Sequence, residues 1–113
     1  MEKIKIKEKE ILAFYDLPQL FTGISESVEE DNTWVCLLIE SIHTPKYLSI
    51  YIPNQTLERY TSGKIDLREL FTSVTDYFLV IPDSDGNYQA EPYEIKDDVT
   101  KECLLPDSGF YHS

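Results

Sequence analysis

Apolar residues fall in short alternating or continuous blocks along this chain, and turn-forming residues separate the blocks. Lys3 to Lys9 alternates with Ile4 and Ile6, the pattern of an N-terminal arm or edge strand, which sets residues 1–10 apart from a single domain over 11–113. Ile11 to Tyr15 is apolar until Pro18 breaks the run. Leu20 to Ser25 reads as a strand, and Glu29-Glu30-Asp31-Asn32 as a polar turn. Thr33 to Ser41 carries the strongest strand pattern. Val35, Leu37 and Ile39 face one way, Trp34, Cys36 and Leu38 the other, and two apolar faces predict a central strand. His43-Thr44-Pro45-Lys46 turns the chain into Tyr47 to Ile52, rich in β-branched and aromatic residues.

The period then changes. Asn54 is placed to cap a short helix running to about Ser62, with Gly63 as its stop. Asp66 opens a second helix, and Glu69 three residues later completes an Asp version of the capping box. Leu67, Leu70 and Phe71 make one apolar stripe. Asp76 to Pro82 returns to strand, Asp83 to Asn87 has hairpin-loop chemistry, and Tyr88 to Ile95 answers it. A short turn or helix is expected around Asp97 to Cys103. The order predicts an α+β fold: an antiparallel β-sheet of about five strands, with two short helices inserted between the third and fourth strands.

Composition narrows the function. The 113 residues carry 21 acids against 10 bases, a net charge of −11. From Glu10 through Pro45 there is no Lys or Arg, while seven acids occur; from Glu69 onward, ten acids face only Lys96 and Lys101. Such a surface repels phosphate backbones and anionic lipid, so direct nucleic-acid and membrane binding are not expected. It attracts a basic protein partner and speeds the encounter. The N-terminus lacks the apolar core of a secretory signal, and no apolar run approaches the ~20 residues of a membrane-spanning helix. With two cysteines, Cys36 inside an apolar run and Cys103 far from it, the expectation is a reducing cytoplasm and free thiols.

Three segments carry a resemblance. They are Tyr15-Asp16-Leu17-Pro18-Gln19-Leu20-Phe21, Gly63-Lys64-Ile65-Asp66-Leu67-Arg68-Glu69-Leu70-Phe71 and Leu105-Pro106-Asp107-Ser108-Gly109-Phe110-Tyr111. In this order and spacing the chain resembles a family of small bacterial domains to which no chemistry is assigned. The resemblance implies one domain of bacterial or phage origin, and it implies no activity. Each segment also has a plain structural reading, as turn formers or as a capped amphipathic helix.

No catalytic residue is expected. A Cys-His pair has no feature that lowers the thiol pKa, since its flanks are apolar or acidic. Asp83-x-Asp85-Gly86 opens like a calcium loop, but the flanks read as strands. Two Cys and two His do not fall at zinc-finger spacing, so no metal or cofactor is expected. The candidate partner-binding residues are Tyr15, Asp16, Glu29, Glu30, Asp31, Asp83, Asp85 and Tyr88: acidic turns framing aromatic anchors. They fit a non-catalytic acidic interaction domain for a more basic protein, in the manner of an antitoxin, immunity or defence-system accessory protein. Two alternatives stand beside it: a nucleic-acid mimic that blocks a DNA- or RNA-binding protein, and a small-ligand sensor or enzyme with a tyrosine-rimmed pocket.

Overall fold

The structure, a computed structural model, describes residues 4–25, 31–95 and 97–111. Six strands follow one another around a ring: β1 (Ile4–Tyr15), β2 (Leu17–Ser25), β3 (Asn32–Glu40), β4 (Lys46–Pro53), β5 (Tyr77–Pro82) and β6 (Tyr88–Tyr93). Each pairs antiparallel with its chain neighbour, and β1 pairs with β6 through Ile4–Ala90, Lys5–Gln89 and Ile6–Tyr88, closing a barrel. Helices α1 (Asn54–Thr61) and α2 (Leu67–Thr72) lie between β4 and β5, and α3 (Asp98–Leu104) follows β6.

This overturns the expected α+β sheet of about five strands. The alternating stretch from Ile4 onward, together with Ile11 to Tyr15, forms one long strand that supplies both the sixth strand and the closing seam. Pro18 does not end the hairpin. It sits in β2 opposite Phe14, while Asp16 makes the reversal with φ 63°. The left-handed region is one that Asp, with its short hydrogen-bonding side chain, tolerates better than most residues.

Two apolar layers explain why β3 is apolar on both faces. The inner layer fills the barrel with Ile6, Phe21, Trp34, Cys36, Tyr47, Val80 and Ala90. The outer layer joins Leu20, Val35, Leu48, Ile50 and Ile52 to Tyr60, Ile65, Leu67, Leu70, Phe71 and Leu105 from the helices and their flanks. A closed sheet must fill its lumen with inward side chains, so alternate residues of every strand are committed there. Inside, space is tight where β1 meets β2: a β-carbon on Gly23 would collide with Cγ2 of Ile6 and lie 3.1 Å from the Lys7 carbonyl oxygen.

Helix entry is set by side chains the sequence presents locally. Asp66 accepts from the Glu69 backbone N–H at 2.8 Å, and the Glu69 carboxylate accepts from the Asp66 backbone N–H, the full capping box. The expected cap at Asn54 is not made. Pro53 holds the N-cap position of α1, the Asn54 side-chain oxygen accepts from the Thr33 hydroxyl, and the Asn54 backbone N–H donates to the Asp31 carbonyl. Asn54 thus ties the start of α1 to the start of β3.

The three segments that carry the resemblance converge. Leu20 from the first, Ile65, Leu67, Leu70 and Phe71 from the second and Leu105 from the third share the outer apolar layer. Gly109 N–H donates to Asp66 Oδ2 at 2.8 Å, Leu67 N–H donates to the Phe110 carbonyl at 2.8 Å, and Arg68 reaches the Pro106 carbonyl and, with both oxygens engaged, Glu102.

Candidate functional site

Strand direction assigns every loop to one of two ends of the barrel. The β1–β2 turn, the β3–β4 turn and the β5–β6 hairpin share one end. The start of β1, the end of β2, the start of β3, the end of β4 and the start of β5 share the other. At this second end the lumen opens into a cavity of about 620 Å³.

The cavity is built from inward-facing positions. Register pairs Gly23 with Trp34, Trp34 with Tyr51, and Ser49 with Phe78, so Trp34, Tyr51 and Phe78 point to the lumen from three successive strands. Their rings touch: Trp34 lies 4.9 Å from Tyr51 at 38° and 4.8 Å from Phe78 at 77°. Trp34 is buried and forms the floor, and its indole Nε1 has no hydrogen-bond partner among the described residues. Ile4 and Ser25 complete the barrel side, and Ser73 to Asp76, leading from α2 to β5, form the rim. Asp76 is exposed there. None of the described lining residues is Lys or Arg. A second cavity of about 380 Å³ shares Thr75, Asp76 and Phe78 as a wall and adds Tyr93, Glu94 and Lys101.

Deeper in the lumen the chemistry is inert. Burial pushes the Cys36 thiol up to about 12. Below it a second aromatic group, Phe21, Tyr47 and Tyr88, fills the other end, with Phe21 4.9 Å from Tyr47 and 4.6 Å from Tyr88. The Tyr47 hydroxyl donates to the Pro18 carbonyl at 2.9 Å, and burial raises the pKa of both tyrosines, with repulsion from Glu8 adding to it. Among the described residues no group of three or more His, Cys, Asp or Glu is placed to hold a metal ion.

The partner-binding candidates are divided between the two ends. Tyr15 closes β1 and Asp16 occupies the β1–β2 turn; Asp83 and Asp85 lie in the β5–β6 hairpin of the same end. Asp83 is engaged within its own loop, accepting from the backbone N–H groups of Asp85 and Asn87 at 2.9 and 3.0 Å. Asp85 pairs with Lys5 at 3.6 Å. Tyr88 is half-buried against Phe21 and Tyr47 in the lumen. Asp31 stands at the opposite end, before β3, and Glu29 and Glu30 lie outside the described residues. The cavity residues Trp34, Tyr51, Phe78 and Asp76 were not singled out by sequence reasoning. For the three rings the only signal is aromatic character at inward positions, and inwardness is fixed by long-range pairing; for Asp76 there is none.

Comparison with family models, with curated proteins and with solved structures returned no match. No helix among the described residues is long and apolar enough to cross a membrane.

Proposed function

We propose that this chain is a non-catalytic binding domain for a more basic protein, in the manner of a bacterial or phage antitoxin, immunity or defence-system accessory protein. One observation carries the reading: of the described carboxylates, all but buried Asp66 and half-buried Asp83 stand exposed. Exposed excess charge of one sign raises the local concentration of an oppositely charged partner. The body measures 35 × 33 × 29 Å, nearly equal in all directions, which gives little support to the mimicry of an extended nucleic acid.

Affinity purification from native cells at low and at high salt tests this. The expected result is a basic protein retained at low ionic strength and lost progressively as salt screens the contact. Retention of nothing, or of an acidic or salt-insensitive partner, overturns it. A second reading, a small-ligand sensor, draws its support from the cavity at the barrel mouth.

A further inference from the structure

We propose that the cavity at the barrel mouth is a receptor for an alkylammonium or guanidinium group, seated over Tyr51, Trp34 and Phe78 with its charge toward Asp76. The inference rests on the basic-partner reading for the source of that group: a Lys or Arg side chain of the bound protein.

The chemistry of the wall selects the ligand. Aromatic faces carry a negative quadrupole and attract a cation placed within about 6 Å of the ring centre, most strongly over Trp and next over Tyr. Three such rings meet at this mouth. The rim adds the Asp76 carboxylate, Ser25 and Thr75, together with Ser73, whose hydroxyl donates to the Leu70 carbonyl at 2.6 Å. A wholly apolar ligand would strip water from that carboxylate and return no hydrogen bond, which is costly. An anion would meet Asp76 with no Lys or Arg among the described lining residues to offset it. A cation on an apolar stem satisfies both halves: the stem covers Ile4 and Phe78, and the charged head meets the rings and Asp76. The volume, about 620 Å³, lies in the range of small-ligand pockets and accommodates a long side chain.

Trp34 is the sole tryptophan of the chain, so its fluorescence reports on this cavity without a label. The full chain is titrated with N-acetyl-lysine methylamide, N-acetyl-arginine methylamide and tetramethylammonium, with neutral N-acetyl-norleucine methylamide alongside, and separately with a Lys- and Arg-rich peptide. The expected result is a saturable change in emission with the cations and none with the neutral amide. Asp76→Asn, at an exposed position, is expected to weaken cation binding about five- to tenfold with an unchanged circular dichroism spectrum, and Tyr51→Leu to weaken it comparably at the same charge. The absence of a saturable response to every cation, or an equal response to norleucine amide, overturns the proposal. A peptide that binds more tightly than the amides supports a protein source; amides that match the peptide support the cation site but assign it to free amines. If salt-sensitive capture of a basic protein persists unchanged in Asp76→Asn and Tyr51→Leu, the cavity assignment fails while the basic-partner reading stands.

Discussion

Gly109 N–H donates a 2.8 Å hydrogen bond to Asp66 Oδ2, across 43 residues of sequence. The other oxygen of the same carboxylate caps α2 by accepting from Glu69 N–H at 2.8 Å. One side chain therefore starts a helix and anchors the C-terminal segment. These two backbone donors, Gly109 first, hold the Asp66 pKa below its ordinary value of 3.8.

That shift fixes the acid response. A carboxylate with a depressed folded-state pKa contributes stability that is present above its unfolded pKa and lost as pH falls through the folded one. Asp66→Asn is expected to lower Tm by several degrees at pH 7. The gap between the two proteins should close progressively below about pH 4, as the native carboxyl is protonated. Thermal melts between pH 7 and pH 2 check this; a gap independent of pH would refute the role given to the charge.

Gly23 is required by Ile6. Gly23→Ala drives a β-carbon into the Ile6 side chain and toward the Lys7 backbone. Overpacking of this kind costs about 1–3 kcal/mol. Trimming the neighbour in Gly23→Ala/Ile6→Ala should make the paired loss smaller than the sum of the single losses. Urea denaturation of the four proteins in the cycle measures the coupling.

Burial raises the pKa of Tyr47, Tyr60, Tyr77 and Tyr88 above the ordinary 10.0. For a phenol the raised folded value means stability fully present below pH 10 and lost as pH climbs above it. Alkaline titration should show these four tyrosines ionising only in a cooperative step that coincides with loss of circular dichroism. Tyr47→Phe should move that step to higher pH if the lost hydrogen bond to Pro18 does not dominate, a point separated by its melting temperature at pH 7.

The two cysteines are free, Cys36 buried in the lumen and Cys103 exposed on α3. A thiol held at about 12 and closed off from solvent reacts slowly. A thiol-specific chromophore should label one cysteine in the native protein and two in denaturant. Cys103→Ser should abolish the native signal, and native labelling of both thiols would contradict the packing of the barrel.

Local signals in this sequence were readable where they act over a few residues. The Asp66–Glu69 capping box, the Leu67, Leu70 and Phe71 stripe and the two-faced apolar character of β3 all follow from short spacing. The closed barrel did not, because Ile4 to Lys9 carries too little apolar surface to announce a paired strand, and the partner of Ile4 to Ile6 lies at Tyr88 to Ala90. Asn54 misled for a related reason: its side chain had a long-range alternative, Thr33, to the local cap. The cavity was hidden by the same limit, since Trp34, Tyr51 and Phe78 share a wall only once the register of three strands is known.

Ring closure through Ile4–Ile6 and Tyr88–Ala90 joins residues at opposite extremes of the strand run. Every other ladder forms between neighbours along the chain, so this seam meets the largest loop-closure entropy and the slowest search. Assembly is accordingly expected to run from hairpins to ring, with the seam zipping last. Until it does, β1 and β6 each offer a bare row of amides and carbonyls, and during that interval the protein is most open to exchanging a strand with another molecule.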